Sequence, residues 1–486
     1  MINQNSFFIS RKSKIIITGC SVIILLFVLF LSTTSFKKKV EKSKSNIIII
    51  LIDDAGYADF GFMGSKDLET PNIDLLASTA VIFSDAHVSA TVCSPSRAGL
   101  LTGKYQQRFG YECNEGDGYT GLDTSQIILP KLLKAHGYAT AAFGKWHVGF
   151  NANQHPLSKG FDYYYGFLSG GRSYFYQPNK DDRSGSKNAL LENHNQVRFD
   201  GYLTDVLGNK AVDYIKQNGQ HPFFMYWAPN AVHTPMEATE VDMQKFANHP
   251  RQKLAAMTFA LDRAVGNIVN ELKRQGIFDN TLIFFLSDNG GAHNNQSINL
   301  PLKGFKGNKF EAGHRIPFLV SWPKQLSHQK FDGLSSSLDI FPTALDAAGI
   351  PKPKQGILDG VSLLPYLKGV KKIAPHQQLV WRKDAEAAIR YNQYKLIQVK
   401  GLGDRLYNLN NDPGETIDLR KTEPLIYTKL KNQLLIWEKD KRKPIWTEGA
   451  IWDTITLMIH DDLMNNRKVR VADPQQLEKF RNVKIN

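Results

Sequence analysis

The sequence predicts an α/β protein, a large mixed, mostly parallel sheet flanked by helices on both faces and followed by a smaller C-terminal α+β domain. Three observations predict it. Short unbroken apolar runs recur between residues 46 and 370, each ends in polar residues, and helical stretches separate them. A strand buried on both faces loses the apolar–polar alternation of a one-sided sheet, so such runs mark a parallel sheet covered by helices. Beyond about residue 370 the texture changes to short alternating strands around an Asp-Pro-Gly turn.

The organisation expected is an N-terminal segment (1–45), an α/β domain (46–370) and the smaller domain (371–486). In the first segment, Ile15 to Leu31 is uncharged and apolar, at the lower edge of bilayer-spanning length. Arg11, Lys12 and Lys14 precede it, as in a secretory leader, and Lys37, Lys38 and Lys39 follow. The expectation is a signal anchor or a cleaved signal peptide, with membrane contact through this segment and the remaining chain in the cell envelope, periplasmic or extracellular. Cys20 ends a lipoprotein-like Ile-Thr-Gly-Cys, but most of the apolar run comes after it, which argues against lipidation.

About half of the net charge of +14 lies in that same segment, where eight lysines and arginines face only Glu41. The remainder is a mild basic bias, compatible with an anionic substrate and too weak to argue for nucleic acid. With 42% hydrophobic and 22% charged residues, global disorder is excluded. Three cysteines make no disulfide framework. Cys20 sits in the apolar run, so at most Cys93 and Cys113 pair.

The strand candidates follow in order. Asn46 to Ile52 ends in Asp53-Asp54, and Tyr138 to Phe143 ends in GKWHVG. Pro222 to Trp227 ends in APNAVHTP, and Thr281 to Leu286 ends in SDNGG. Leu129 to His136 and Ala255 to Gln275 read as crossover helices. Near the C-terminus, Pro424 to Asp440 and Asp473 to Phe480 read as helices. In open α/β sheets ligands bind beyond the carboxyl ends of the strands. Four strands ending in carboxylates, Lys145 with His147, His233, and Asp288-Asn289 therefore converge their polar residues at one rim.

These residue types carry chemistry together. Asp53, Asp54, Asp288 and Asn289 offer hard oxygen donors, which select Ca²⁺ or Mg²⁺ over zinc. Asp53-Asp54 alone is as often a helix cap, and Asp-Asn-Gly-Gly alone a turn; two acidic pairs at strand ends favour the metal. Lys145 and His147, two apart on an extended segment, point to one face. With Arg97, His233 and Lys306 they form an anion cradle suited to a transferring sulfuryl or phosphoryl group. Cys93 lies ahead of a helix N-terminus, with Pro95 in the first turn, a setting that favours anions. A small buried core cysteine is the plain alternative. No G-x-S-x-G, H-E-x-x-H or P-loop motif is present.

Cys93-Ser94-Pro95-Ser96-Arg97, followed by Ala98 to Gly103, resembles the signature of the formylglycine-dependent sulfatases. Asp53-Asp54, GKWHVG, the His-Thr-Pro segment, Asp288 to Gly291 and Lys306 to Pro317 follow in the family's order, and LYNLNNDPGETIDL resembles its C-terminal domain. The resemblance implies that a maturation enzyme oxidises Cys93 to formylglycine, whose hydrate attacks sulfur. It implies Ca²⁺, with Mg²⁺ second, on Asp53, Asp54, Asp288, Asn289 and the converted Cys93. Arg97 would hold the formylglycine hydroxyl, Lys145 and Lys306 the sulfate oxygens. His147 would act as base and His233 as acid on the leaving alcohol. Ser169, Arg172 and His293 are the substrate-binding candidates. Glu-Ala-Gly-His-Arg at 311–315 departs from the family's frequent Glu-Gly-Gly-x-Arg.

Export, mild basicity and the aromatic stretch Gly170 to Tyr176, with Tyr163 to Tyr165 nearby, favour a sulfated carbohydrate; the alternative for those aromatics is packing of the domain. Hydrolysis of a phosphomonoester or phosphonate ester, an arylsulfatase acting on small esters, and a catalytically silent binding protein remain as other readings.

Overall fold

The computed structural model describes residues 44–353 and 358–470. Its central feature is a ten-stranded sheet. The middle strands run in the order Phe318–Ser321, Thr281–Ser287, Asn46–Ile52, Phe223–Ala228, Ala139–Lys145 and Tyr163–Phe167. The last five of these are parallel to one another, and Phe318–Ser321 is antiparallel to its neighbour. Short strands extend both edges. The predicted strands are found, displaced by at most two residues at their ends.

The reason for the unbroken apolar runs is visible in Asn46–Ile52. Ile47, Ile49 and Leu51 face one buried cluster, while Ile48, Ile50 and Ile52 face the other. Successive side chains leave a strand on opposite faces, so both parities must be apolar when both faces are covered. Each isoleucine buried this way contributes about 2 kcal/mol. The helices Cys93–Thr102, Leu129–Ala135 and Ile340–Ala347 cover the first face. Pro71–Ala77, Leu203–Asn218 and Gln252–Arg274 cover the second.

The strands Gln378–Lys383, Glu386–Tyr391, Tyr394–Val399 and Gly403–Asn408 form the expected antiparallel sheet of the C-terminal domain. Pro424–Glu438 packs Leu430 and Leu434 on one face. Ala450–Met464, a helix the sequence reading did not anticipate, packs Ile455, Met458 and Ile459 on the other. Phe310 and Leu334 share that second cluster, so the α/β layers and the small sheet join within one compact unit that begins at Ser45. Residues 15–31 and the predicted helix at 473–480 lie outside the described residues. Among the described residues no helix is long and apolar enough to cross a membrane.

Candidate active site

Strand ends deliver the acidic groups. Asp53 and Asp54 follow the strand Asn46–Ile52 directly, and Asp54 adopts a left-handed backbone (φ 64°), a costly conformation for a non-glycine residue that functional sites tolerate. Asp288 and Asn289 follow the neighbouring strand. Asp54 N donates to Asp288 Oδ1 (3.3 Å), and Asn289 Nδ2 donates to Asp54 Oδ1 (2.7 Å). All four side chains are buried.

Cys93 is the first residue of the helix Cys93–Thr102, and the chain enters it from an extended Val92. Pro95 sits in the first turn, where a backbone N–H has no intrahelical partner to lose. Cys93 Sγ lies 3.6 Å from Asp53 Oδ1 and 4.0 Å from Asp54 Oδ1. Burial pushes the thiol up to about 12. An unmodified thiol here is therefore neutral and a poor nucleophile at neutral pH. Cys93 and Cys113 are both free, so the possible pairing does not form.

One turn along the helix, Arg97 donates through Nε and Nη2 to Asp288 Oδ2 (2.9 and 2.7 Å) and through Nη1 to the Lys145 carbonyl (2.9 Å). It ties the cysteine helix to two strand ends. Lys145 Nζ is 2.7 Å from Asp53 Oδ2, and Lys306 Nζ is 2.8 Å from Asp54. Burial alone would raise the Asp53 carboxyl, but Lys145, His233, Arg97 and Lys306 outweigh it and hold it well below the usual carboxylate range. Asp54 is lowered in the same way, against its own burial, mainly by Lys306 and His233. Asp288 goes the other way, up to about 6, through burial and then the charge of Asp53.

Lys145 and His147 do not share an extended segment. The strand ends at Lys145, and His147 has a left-handed backbone (φ 59°), which turns its ring away from the strand direction. Its Nε2 faces Glu115 Oε1 at 3.5 Å, and its Nδ1 is buried without a hydrogen-bond partner. Burial holds this imidazole down at about 3. His233 Nδ1 lies 2.6 Å from the Thr234 carbonyl. A carbonyl only accepts, so the proton is on Nδ1 and Nε2 is the atom facing Asp54 Oδ2 at 3.6 Å.

The substrate-binding candidates separate. The Arg172 guanidinium is buried on Asp182 (2.7 Å) and on the carbonyls of Ser173 and Asn188. Ser169 Oγ donates to the Gly171 carbonyl (3.2 Å). His293 is exposed and lines the same cavity as Asp54, His233 and Lys306. Tyr164, Tyr165 and Tyr174 are buried in the two cores, so for them packing is the correct reading. Glu115 was missed; a lone acid in the loop after Cys113 carries no motif, and only the fold brings it to His147.

The donor set fits a hard divalent cation. Asn289 Oδ1 is buried with no partner, beside the Asp54 carboxylate that Asn289 Nδ2 contacts, so an oxygen donor is left open among the buried acids. Single ligand atoms of Asp53, Asp54, Cys93 and His233 lie within 4.8 Å of one another. A cation here would bring the raised Asp288 carboxyl back down.

Residues 45–350 match the sulfatase family model, and residues 306–440 match the model described as N-sulphoglucosamine sulphohydrolase, C-terminal. The chain is 34% identical over 342 residues to an uncharacterized sulfatase of Escherichia coli (strain K12), covering 64% of this chain and 59% of that protein. It is 33% identical over 377 residues to N-acetylgalactosamine-6-sulfatase of Canis lupus familiaris, covering 71% and 70% of the two chains. The crystal structure of Ps i-CgsB in complex with k-i-k-neocarrahexaose aligns with a TM-score of 0.79 at 39% identity, over 85% of this chain and 96% of that one. PsFucS1 sulfatase from Pseudoalteromonas sp. aligns at 0.70 and 25% identity, over 85% and 94%. A phosphonate monoester hydrolase of Agrobacterium radiobacter, at 20% identity and 0.61, shares the fold alone. With its catalytic layers matched along their whole length, this chain belongs to the sulfatase family, the sulfuric ester hydrolases.

Proposed function

We propose that this protein removes a sulfate ester from a sulfated carbohydrate, using formylglycine made from Cys93 and a calcium ion held by Asp53, Asp54, Asp288 and Asn289. The observation that carries the reading is the juxtaposition of Cys93 Sγ with Asp53 and Asp54 while Lys145 and Lys306 stand on the outer oxygens of those carboxylates. The carbohydrate class draws support from relatives named for N-acetylgalactosamine-6-sulfate and from the neighbour crystallised with a neocarrahexaose. When present, the aldehyde and the cation supply a hydrated nucleophile and a Lewis acid.

The chain's own residues do the rest. Lys145 and Lys306 are the cations available to sulfate oxygens, and charge aimed at the transferring group is worth about 10² to 10³ in rate per donor. Arg97 fixes the helix that carries position 93. His233 has its Nε2 3.6 Å from Asp54 and lines the cavity, placed to donate to the leaving alcohol; burial and then Lys306 hold the ring below its ordinary value, against the opposing charges of Asp53 and Asp54. His147 takes a proton from the group at position 93, with Glu115, which faces its Nε2, stabilising the charge it gains. Cys93 is 1% exposed, so a maturation enzyme has to act before the chain closes around it. That requirement accords with export directed by residues 15–31, which we propose as leader or membrane anchor of a cell-envelope enzyme.

The test is peptide mass spectrometry across residues 91–105 of protein made with and without a formylglycine-generating enzyme, beside sulfate release from sulfated glycans. Converted protein should gain one oxygen and lose one H₂S at position 93, release sulfate, and lose activity to a calcium chelator. Equal activity from unconverted thiol would sink the mechanism. Faster turnover of matched phosphate or phosphonate esters would replace the substrate class.

A further inference from the structure

The cavity over Asp54, His233 and Lys306 has a volume of about 310 Å³, at the small end of ligand pockets. Its far wall does not come from the large sheet. Glu448, Trp452 and Ile455 line it, from a segment beyond both matched stretches, 45–350 and 306–440.

That segment is anchored to the loop that carries Glu115. Trp446 is buried edge-on against Tyr111 and Tyr119, with ring centroids 4.6 and 5.0 Å away, and its Nε1 donates to the Asn114 carbonyl (2.8 Å). Asp117 and Thr447 form an antiparallel bridge. Glu448 accepts from Asn114 N (3.2 Å) and from Lys383 Nζ (2.7 Å). The helix Ala450–Met464 then docks through Ile455, Met458 and Ile459. Trp452 is thus held within a turn of a fixed anchor, yet its side chain stays 39% exposed. A large apolar group kept open beside an anion site is a feature that ligand burial explains.

We infer that Trp452 is the platform on which a pyranose ring of the sulfated substrate stacks while the sulfate sits at Lys306 and His233. An indole offers a broad rigid face at low entropic cost and a single polar edge. A pyranose offers a face of C–H groups with its hydroxyls around the rim, so the two faces bury each other while the hydroxyls stay solvated. The inference rests on the carbohydrate reading above.

The experiment compares wild type with Trp452→Ala and Trp452→Phe on a sulfated oligosaccharide, with inorganic sulfate as the inhibitor that occupies the anion site alone. Trp452→Ala should raise KM about tenfold, equivalent to about 1.4 kcal/mol. Its inhibition constant for sulfate should stay within twofold of wild type, and Trp452→Phe should recover most of the loss. An unchanged KM in the alanine variant overturns the platform. So does a parallel weakening of sulfate binding, which would mean that Trp452 supports the anion site or the fold. A wild-type protein that cleaves aryl sulfates and no sulfated oligosaccharide overturns the carbohydrate reading itself, a different signature from either.

Discussion

Glu115 illustrates how much of the site is decided one residue at a time. One carboxylate oxygen faces His147 Nε2 at 3.5 Å and the other pairs with Lys187. Burial drives His147 toward the neutral ring, and Glu115 is the group that opposes it. A base that must gain charge during turnover needs that opposition. Glu115→Gln should therefore cost about tenfold in kcat/KM, the equivalent of one pKa unit. Glu115→Asp should recover part of it. Steady-state kinetics on converted protein decide this, and a glutamine variant as fast as wild type would show that His147 carries no charge in the rate-limiting step. The aspartates, lysines and histidines of the site were legible because each stands in a short motif, most of them just after a strand and Lys306 in the loop ahead of Glu311–His314. Glu115 was not, because its partner is brought to it by the packing of a loop. The Asp182 partner of Arg172 was equally illegible: a basic residue in an aromatic stretch reads as a ligand contact, and only the fold brings its guanidinium onto Asp182, ten residues on.

At the scale of elements, the strand Thr281–Ser287 and the segment Glu311–His314 hold each other in place through Gly290. A Cβ there would lie 1.6 Å from the Ala312 carbonyl oxygen, a backbone atom that cannot rotate away. Gly290 N also donates to the Gly313 carbonyl (3.1 Å). Gly290→Ala should destabilise the protein by about 3 kcal/mol, at the upper end for overpacking, and weaken binding of the proposed divalent cation through the adjacent Asn289. Chemical denaturation and equilibrium dialysis measure the two effects, and wild-type values for both would contradict the packing argument. The central strands were legible within two residues because two-sided burial writes itself as unbroken β-branched and aromatic runs. The helix Ala450–Met464 escaped notice. Its buried residues run from Ile455 to Met464, with several polar side chains among them, so no clean stripe marks its inner face.

Across the whole molecule, buried neutral histidines set the response to acid. His147 and His460 are both fully enclosed, and burial, the leading cause, holds each at about 3 against an ordinary 6.5. Between those values the unfolded chain binds protons that the folded chain refuses, so stability is full above about pH 6.5 and falls as pH drops toward 3. Each group contributes a slope of up to about 1.4 kcal/mol per pH unit. Thermal unfolding of wild type should shift steeply downward between these limits, and His460→Gln should show a shallower shift. Equal slopes would mean that His460 titrates alike in both states. The sequence by itself determined the layered α/β class, the central strands, the candidate nucleophile and the carboxylate, lysine and histidine set, because burial and strand-end chemistry act on neighbours in the chain. Only the tertiary structure decided which groups those residues meet: Glu115 at His147, Asp288 under Arg97, and a C-terminal helix closing the cavity. Such pairings join positions far apart in sequence, and the distances between them exist only once the sheets and helices have packed.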